Sequence, residues 1–308
     1  MKYIEIANTD LKASNIVMGN MRLKQLSLAE AETLIRTAME EGINFFDHAD
    51  IYGPSYGECE AHFAEAVQMN PSLREQMILQ SKCGIRKGFF DFSKEHILES
   101  TDGILKRLKT DYLDVLLLHR PDTLMEPSEI AEAFDILHKS GKVRYFGVSN
   151  HTPTQVELLQ KYIPHKLIVN QLQLSVAHSP IIDSSIAFNM NVDQSINRDS
   201  GILEYSRLKE MTIQAWSPFQ KGFFEGPFLG DLDSYPELNQ TIDEIAAKYG
   251  VTNTSVAVAW ITRHPANMQV VLGTMNVQRL KDSCVGSELP LTREEWYRIY
   301  RTAGHIIP

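Results

Sequence analysis

The chain has 308 residues, 43% hydrophobic and 22% charged, with 39 acidic against 30 basic side chains and a formal net charge of −9 at neutral pH. That composition excludes disordered, collagenous and small disulfide-stapled proteins, and a chain of this length buries roughly 75% of its unfolded surface. Lysines and arginines are scattered rather than clustered, so nucleic acid is not an expected partner, and no apolar run approaches the ~20 residues of a membrane span.

The first residues, Met1-Lys2-Tyr3-Ile4-Glu5, lack the apolar core of a secretory signal, so the protein is expected to be soluble and cytoplasmic. Cys59, Cys83 and Cys284 are odd in number and show no CxxC spacing, which argues against a disulfide framework and a structural zinc site.

Two short strands, Tyr3 to Ile6 and Leu11 to Lys12, flank the turn-prone Asn8-Thr9-Asp10 and predict an N-terminal β-hairpin. Strand-like and helix-like patterns then alternate. The expected strands are Ile16 to Met18, Asn44 to Asp47, Ile78 to Lys82, Leu113 to His119, Tyr145 to Ser149, Ile168 to Gln171, Thr212 to Trp216 and Val270 to Leu272. The expected helices include Leu28 to Glu40, Cys59 to Gln68, Ser93 to Leu108, Pro127 to Ser140, Pro153 to Tyr162, Gly201 to Lys209 and Ser255 to Arg263. Several strands are short, continuous apolar runs, as parallel strands buried on both faces are. Ser27, Ser93 and Thr152 stand where N-caps belong, and Gly42, Gly141 and Gly250 follow helical segments as C-terminal caps.

This alternation predicts right-handed βαβ units closed into a (β/α)8 TIM barrel, an α/β fold that takes residues 1–308 as one domain. An open doubly wound sheet is the competing solution. Against it, Met18-Gly19-Asn20-Met21-Arg22 follows the first of these strands, and neither GxGxxG nor GxxxxGK[ST] occurs. Segments entering strands are short, whereas those leaving them are long and polar, as in His48 to Glu58, Cys83 to Phe92, Leu172 to Ser200 and Ser217 to Pro236. In a barrel the latter gather at one face, where function is expected.

Several apolar strands end in ionisable or polar residues: Asp47, Lys82, His119, and Ser149 with Asn150. Charged groups avoid burial unless paired, so an Asp, a Lys and a His at one barrel mouth make sense as an interacting set; the alternative is that each caps its own strand at the solvent boundary. Tyr52 lies five residues beyond Asp47, where a loop can fold back over the rim. A phenol, with an ordinary pKa near ~10, needs a neighbouring cation to become a useful acid, and Lys82 is placed to lower it by roughly 1 to 3 units. Asp47 would hold the ammonium and His119 would orient a carbonyl oxygen, a set suited to general acid catalysis.

These residues lie in motifs that closely resemble the aldo-keto reductases: Gly42-Ile43-Asn44-Phe45-Phe46-Asp47-His48-Ala49-Asp50-Ile51-Tyr52-Gly53, Ser81-Lys82 and Asp111-Tyr112-Leu113-Asp114-Val115-Leu116-Leu117-Leu118-His119-Arg120-Pro121. Gly147-Val148-Ser149-Asn150, Val169-Asn170-Gln171, Trp216-Ser217-Pro218 and the stretch from Leu272 to Arg279 follow in family order. The resemblance implies a barrel that binds a nicotinamide cofactor without a Rossmann fold and transfers hydride to the carbonyl of a small aldehyde or ketone. It implies Tyr52 as proton donor, tuned by Lys82 and Asp47, with His119 positioning the carbonyl. It places Ser149, Asn150 and Gln171 on the nicotinamide carboxamide and Trp216 against the ring. Ser217, Phe219 and Gly222 open the pyrophosphate loop, and Arg279, with Gly273 and Thr274 nearby, faces the adenosine 2′-phosphate, which favours NADPH over NADH.

The chain departs from the family pattern at three places. His48 stands where many members have Thr, and Gly273-Thr274 where several have Lys followed by Ser, so NADPH preference rests on Arg279 with Asn276 and Thr274 in support. The connection from Leu172 to Ser200, with its polar run Asn189 to Asn197, is long and is read as a substrate-side lid or an oligomer contact rather than a passive insert. No metal site is expected, because the His48-Ala49-Asp50 spacing never repeats. Tyr56 and Cys83 are read as a loop-packing aromatic and an inert thiol. A nucleotide-binding sensor or regulatory subunit is the alternative function; the intact Asp47, Tyr52, Lys82 and His119 set favours catalysis, because a pure binder needs no tuned acid.

Overall fold

The computed structural model describes residues 1–308. Strands β1 (Tyr3–Glu5) and β2 (Lys12–Ser14) pair antiparallel as the expected hairpin. There follow β3 (Ile16–Gly19), β4 (Phe45–Asp47), β5 (Ile78–Cys83), β6 (Ile85–Arg86), β7 (Phe89–Phe90), β8 (Leu113–Leu118), β9 (Val143–Ser149), β10 (Leu167–Gln173), β11 (Thr212–Trp216) and β12 (Gln269–Leu272). Eight of them form a closed parallel barrel in the order β3-β4-β5-β8-β9-β10-β11-β12, and β12 returns to β3 with Val270 opposite Ile16. Every residue of β3, β4, β5, β8 and β12 is buried, which explains why those segments show no alternation of inward apolar and outward polar residues.

Around the barrel run α1 (Leu28–Glu40), α2 (Glu58–Ala66), α3 (Pro71–Arg74), α4 (Lys94–Leu108), α5 (Pro127–Lys139) and α6 (Pro153–Tyr162), then α7 (Pro180–Ile186), α8 (Ile202–Leu208), α9 (Pro236–Tyr249), α10 (Asn253–Thr262), α11 (Val277–Val285) and α12 (Arg293–Thr302). The side chains of Ser27, Ser93 and Thr152 each accept the backbone N–H three residues on, and Ser27 and Thr152 form full capping boxes with Glu30 and Gln155. Gly42, Gly141 and Gly250 take φ of 91°, 73° and 65°, the left-handed turn that ends their helices at least cost.

Some elements were not expected. The loop after β5 holds the small β6–β7 hairpin, whose phenylalanines are exposed. The connection after β10 is not a free loop: it contains α7 and a single 3₁₀ turn at Asp193–Ser195. Residues from the far end of the chain fasten it. Gln194 donates to the Ile306 carbonyl at 3.0 Å and accepts the Ile306 N–H at 2.6 Å, and the Tyr300 hydroxyl donates to Asp183 at 2.8 Å.

The opposite end of the barrel from the strand C-termini is fixed by Asp114 at the start of β8. Buried, it accepts from Arg74 Nη2 at 2.7 Å, from the Leu79 N–H at 2.9 Å and from Arg144 Nη1 at 2.9 Å, tying α3, β5 and β9 together. Removing the carboxylate leaves a buried guanidinium without an anion, a change that costs about 3–5 kcal/mol. Asp114→Ala is therefore expected to lose stability of that order in equilibrium denaturant unfolding.

Candidate active site

Asp47 closes β4, Lys82 lies near the end of β5, His119 follows β8, Ser149 closes β9, Gln171 is late in β10 and Trp216 closes β11. Parallel strands bring all six to one mouth of the barrel. Lys82 is fully buried, and its Nζ donates to Asp47 Oδ2 at 2.7 Å, to the His48 carbonyl at 2.7 Å and to Tyr52 Oη at 3.2 Å. All three ammonium hydrogens are thereby used. Burial pushes this ammonium down, but Asp47 and Tyr52 beside it more than compensate, and the net shift is upward, so Lys82 stays charged.

Tyr52 departs from expectation in one respect. Its phenol is shifted above its ordinary value, because burial outweighs the opposing pull of Lys82 and Asp47 adds to the rise. The ammonium limits this upward shift rather than producing an acidified phenol. The imidazole of His119 stands edge-on to the Tyr52 ring, with centroids 5.9 Å apart. Burial, reinforced by Lys82 and Arg120, drives His119 well below the usual imidazole value and keeps it neutral.

The second oxygen of Asp47 has its own partners. Oδ1 accepts from Gln80 Nε2 at 2.6 Å and from Gln171 Nε2 at 3.0 Å, and both amides also donate to Gln214 Oε1, at 2.8 and 3.0 Å. Gln214 passes a hydrogen bond to Gln269 at 2.9 Å, and Gln269 ends on the Ser14 carbonyl at 2.8 Å. Buried polar groups require such partners, and four glutamines supply them across the barrel interior. Of these, Gln80, Gln214 and Gln269 were missed as site residues. Their signal was an uncharged polar residue within or at the start of a strand, as in Leu79-Gln80, Ile213-Gln214-Ala215 and Gln269-Val270.

His48 is fully buried behind the site, with its ring edge on Phe63 and only Asn20 at hydrogen-bond distance, 3.3 Å. Burial and the charge of Lys82 hold its pKa down at about 3, so it does not titrate near neutrality. Tyr56 is exposed, and burial raises the Cys83 thiol far above its usual range, as an inert cysteine requires.

The Aldo/keto reductase family model matches residues 15–303. The chain belongs to this family. It is 35% identical to the oxidoreductase YdhF of Escherichia coli, over 99% of each chain, and 32% identical to a 6-dehydroglucose reductase of Agrobacterium fabrum, over 95% of each. The crystal structure of a thermostable aldo-keto reductase in complex with the inhibitor epalrestat superposes with a TM-score of 0.78, at 23% identity, covering 98% of this chain and 100% of the other.

Aldo-keto reductases are oxidoreductases that use a nicotinamide dinucleotide, and the polar atoms left open here suit one. Gln171 spends its N–H groups on Asp47 and Gln214, while its Oε1 accepts from no protein donor. Asn150, at φ 60°, gives one N–H to Ser149 Oγ at 2.8 Å and accepts from Trp216 Nε1 at 3.1 Å, which leaves a second N–H. A free acceptor beside a free donor is what a carboxamide needs, and Trp216 presents a half-buried ring beside them.

After β11, Ser217 takes φ of 53° and begins a loop that turns back through a bridge between Gln220 and Pro227. Within that loop Phe219 packs on the core and the Gly222 carbonyl accepts from Gln173 at 2.8 Å. After β12, Gly273 gives its carbonyl to Arg22 Nε at 3.0 Å, Thr274 Oγ1 accepts the Asn276 N–H at 3.2 Å, and Asn276 caps α11 by accepting from the Arg279 N–H at 2.9 Å. The guanidinium of Arg279 is exposed and unpaired, and Arg22, absent from the expected set, adds a second cation on this side.

Because His48 is neutral when folded and has an ordinary pKa near ~6.5 when unfolded, its contribution to stability is complete above that value and is lost as pH falls toward about 3. His48→Gln lacks this loss. The stability difference between wild type and His48→Gln is therefore expected to move against wild type by about 2 kcal/mol between pH 6.5 and 4.5, measured by urea unfolding at both pH values.

Proposed function

We propose that the protein is an NADPH-dependent reductase of small aldehydes or ketones in which Tyr52 delivers the proton. The observation that carries this reading is the pair of contacts on one buried ammonium: Lys82 Nζ at 2.7 Å from Asp47 and at 3.2 Å from the Tyr52 hydroxyl. When bound, the reduced dinucleotide supplies the hydride. Ser149, Asn150 and Gln171 would hold its carboxamide, Trp216 its ring, the loop of Ser217, Phe219 and Gly222 its pyrophosphate, and Gly273, Thr274 and Arg279 its 2′-phosphate.

The chain's own residues account for the proton. Tyr52, with its pKa raised by burial, stays protonated at neutral pH and so is stocked as a donor. As the carbonyl oxygen gains negative charge the proton moves from Oη, and the charge left on the phenolate lies beside a permanent ammonium in a site of low dielectric. Asp47 keeps that ammonium in place, and Gln80 and Gln171 keep Asp47 in place. In His119, Nδ1 is enclosed without a partner. A neutral ring with its hydrogen on Nε2 leaves that enclosed nitrogen as a bare acceptor and offers one donor to the carbonyl oxygen.

The test is oxidation of NADPH with 4-nitrobenzaldehyde. Tyr52→Phe is expected to lose at least about 100-fold in kcat, since general acid catalysis contributes 10² to 10⁴, while NADPH affinity by fluorescence titration is kept. Equal turnover by the two proteins would overturn the assignment, as would tight NADPH binding by a wild type that reduces no aldehyde. The preference for NADPH is carried by Arg279 beside the capped start of α11. Arg279→Ala is expected to weaken NADPH binding about tenfold and NADH binding little, read from dissociation constants for both.

A further inference from the structure

Arg120 follows His119 at the end of β8. Of the arginines that are buried or half-buried it alone makes neither a hydrogen bond nor an ion pair; Arg74, Arg107 and Arg144 are each held by carboxylates. Its guanidinium carbon lies 5.9 Å from the centre of the Trp216 ring, and its charge lowers the basicity of His119 and His151. A half-buried guanidinium without an anion is unfavourable until a ligand supplies one.

The same wall bounds a cavity of about 270 Å³ that Arg120 shares with Asn150, Trp216, His178 and Arg198. Arg198 comes from the long connection after β10 and has no ion pair either. The one carboxylate in the lining, Asp199, forms no ion pair with either arginine: Oδ1 accepts from Ser184 Oγ at 3.0 Å and Oδ2 is enclosed without a partner. The cavity therefore offers two unneutralised cations next to the Tyr52 site.

The phosphates of a dinucleotide are poorly placed to be the missing anion. Arg279, the cation assigned to them, and Arg22 beside it follow β12 and β3, whereas Arg120 follows β8, which is four strands from β12 in either direction around the ring. A ligand reaching Arg120 approaches from the side opposite those phosphates.

We propose that Arg120, supported by Arg198, forms a carboxylate-binding subsite, and that the preferred substrates are small aldehydes or ketones carrying a carboxylate on the β8 side of the Tyr52 hydroxyl. The planar guanidinium fork matches a carboxylate in bidentate fashion. This inference rests on the carbonyl reduction proposed above and adds the substrate class.

Two measurements test it. In the first, kcat/KM is measured with NADPH for 4-carboxybenzaldehyde and for 4-nitrobenzaldehyde. The ratio of the first to the second is expected to fall about tenfold or more in Arg120→Gln, chiefly through KM, and to recover in part in Arg120→Lys. A ratio that does not move while both aldehydes turn over would overturn the subsite and leave the reductase standing. The second needs no turnover and no variant: calorimetric titration of the wild-type protein, saturated with NADP⁺, with benzoate, benzamide and phenyl phosphate. Benzoate is expected to bind at least about tenfold more tightly than benzamide. Equal binding of the two, no binding of benzoate, or tighter binding of phenyl phosphate overturns the carboxylate assignment, even if the enzyme reduces aldehydes.

Discussion

A single positive charge without access to water organises the mouth of this barrel. Lys82 has no exposed surface, and an isolated ammonium in such a position would lose its proton rather than accept the cost of desolvation. It remains charged because three acceptors surround it, of which Asp47 carries the compensating charge. That carboxylate then needs donors of its own, and the requirement passes from Gln80 and Gln171 to Gln214, to Gln269 and to the Ser14 carbonyl. The interior of the barrel is therefore an aliphatic core threaded by amides whose arrangement follows from one buried cation. The cost of burying the pair is offset by geometry, since both oxygens of Asp47 and all three hydrogens of the ammonium have defined partners.

Charge is also sorted by direction around the ring. Arg22 and Arg279 flank the sector of β12 and β3, Lys82 sits near the centre, and Arg120 occupies the sector of β8. The formal net charge of −9 tells nothing of this, because a sum over the whole chain carries no information about where these arginines stand. For a protein proposed to bind a phosphorylated cofactor and an anionic substrate together, two cationic sectors separated by a ring diameter keep the two ligands' charges apart. The long connection after β10 takes part in this arrangement through Arg198, and its anchorage by Gln194 and Tyr300 gives that wall a fixed position.

The architecture was legible in the sequence because parallel barrel strands are buried on both faces and helix ends obey local chemistry. Ile16 to Met18 reads as an apolar run, and Ser27 reads as an N-cap, with no tertiary knowledge required. Helices α9, α11 and α12 were less visible: α12, Arg-Glu-Glu-Trp-Tyr-Arg-Ile-Tyr-Arg-Thr, is mostly polar, and only Trp296, Ile299 and Tyr300 face inward. Asp47, Tyr52, Lys82 and His119, which the structure brings together, stand out in the sequence by their position at strand ends and in the loop beyond. The glutamine thread was not, since a single Gln inside a strand looks like a weak strand former until four of them converge. The direction of the Tyr52 shift was also out of reach, because it is set by the balance of burial against a neighbouring charge, and sequence reveals only the neighbour.

The last link of the glutamine thread joins residues 255 positions apart, Gln269 and Ser14, at the seam where β12 meets β3. Contacts of such sequence separation form late, after a large loss of chain entropy has been met. Closure of the cylinder and completion of the polar wiring beneath Asp47 thus require the same long-range pairing. Without β12 beside β3 the relay under the carboxylate lacks its final bond, so the order of the candidate site depends on the ring being closed.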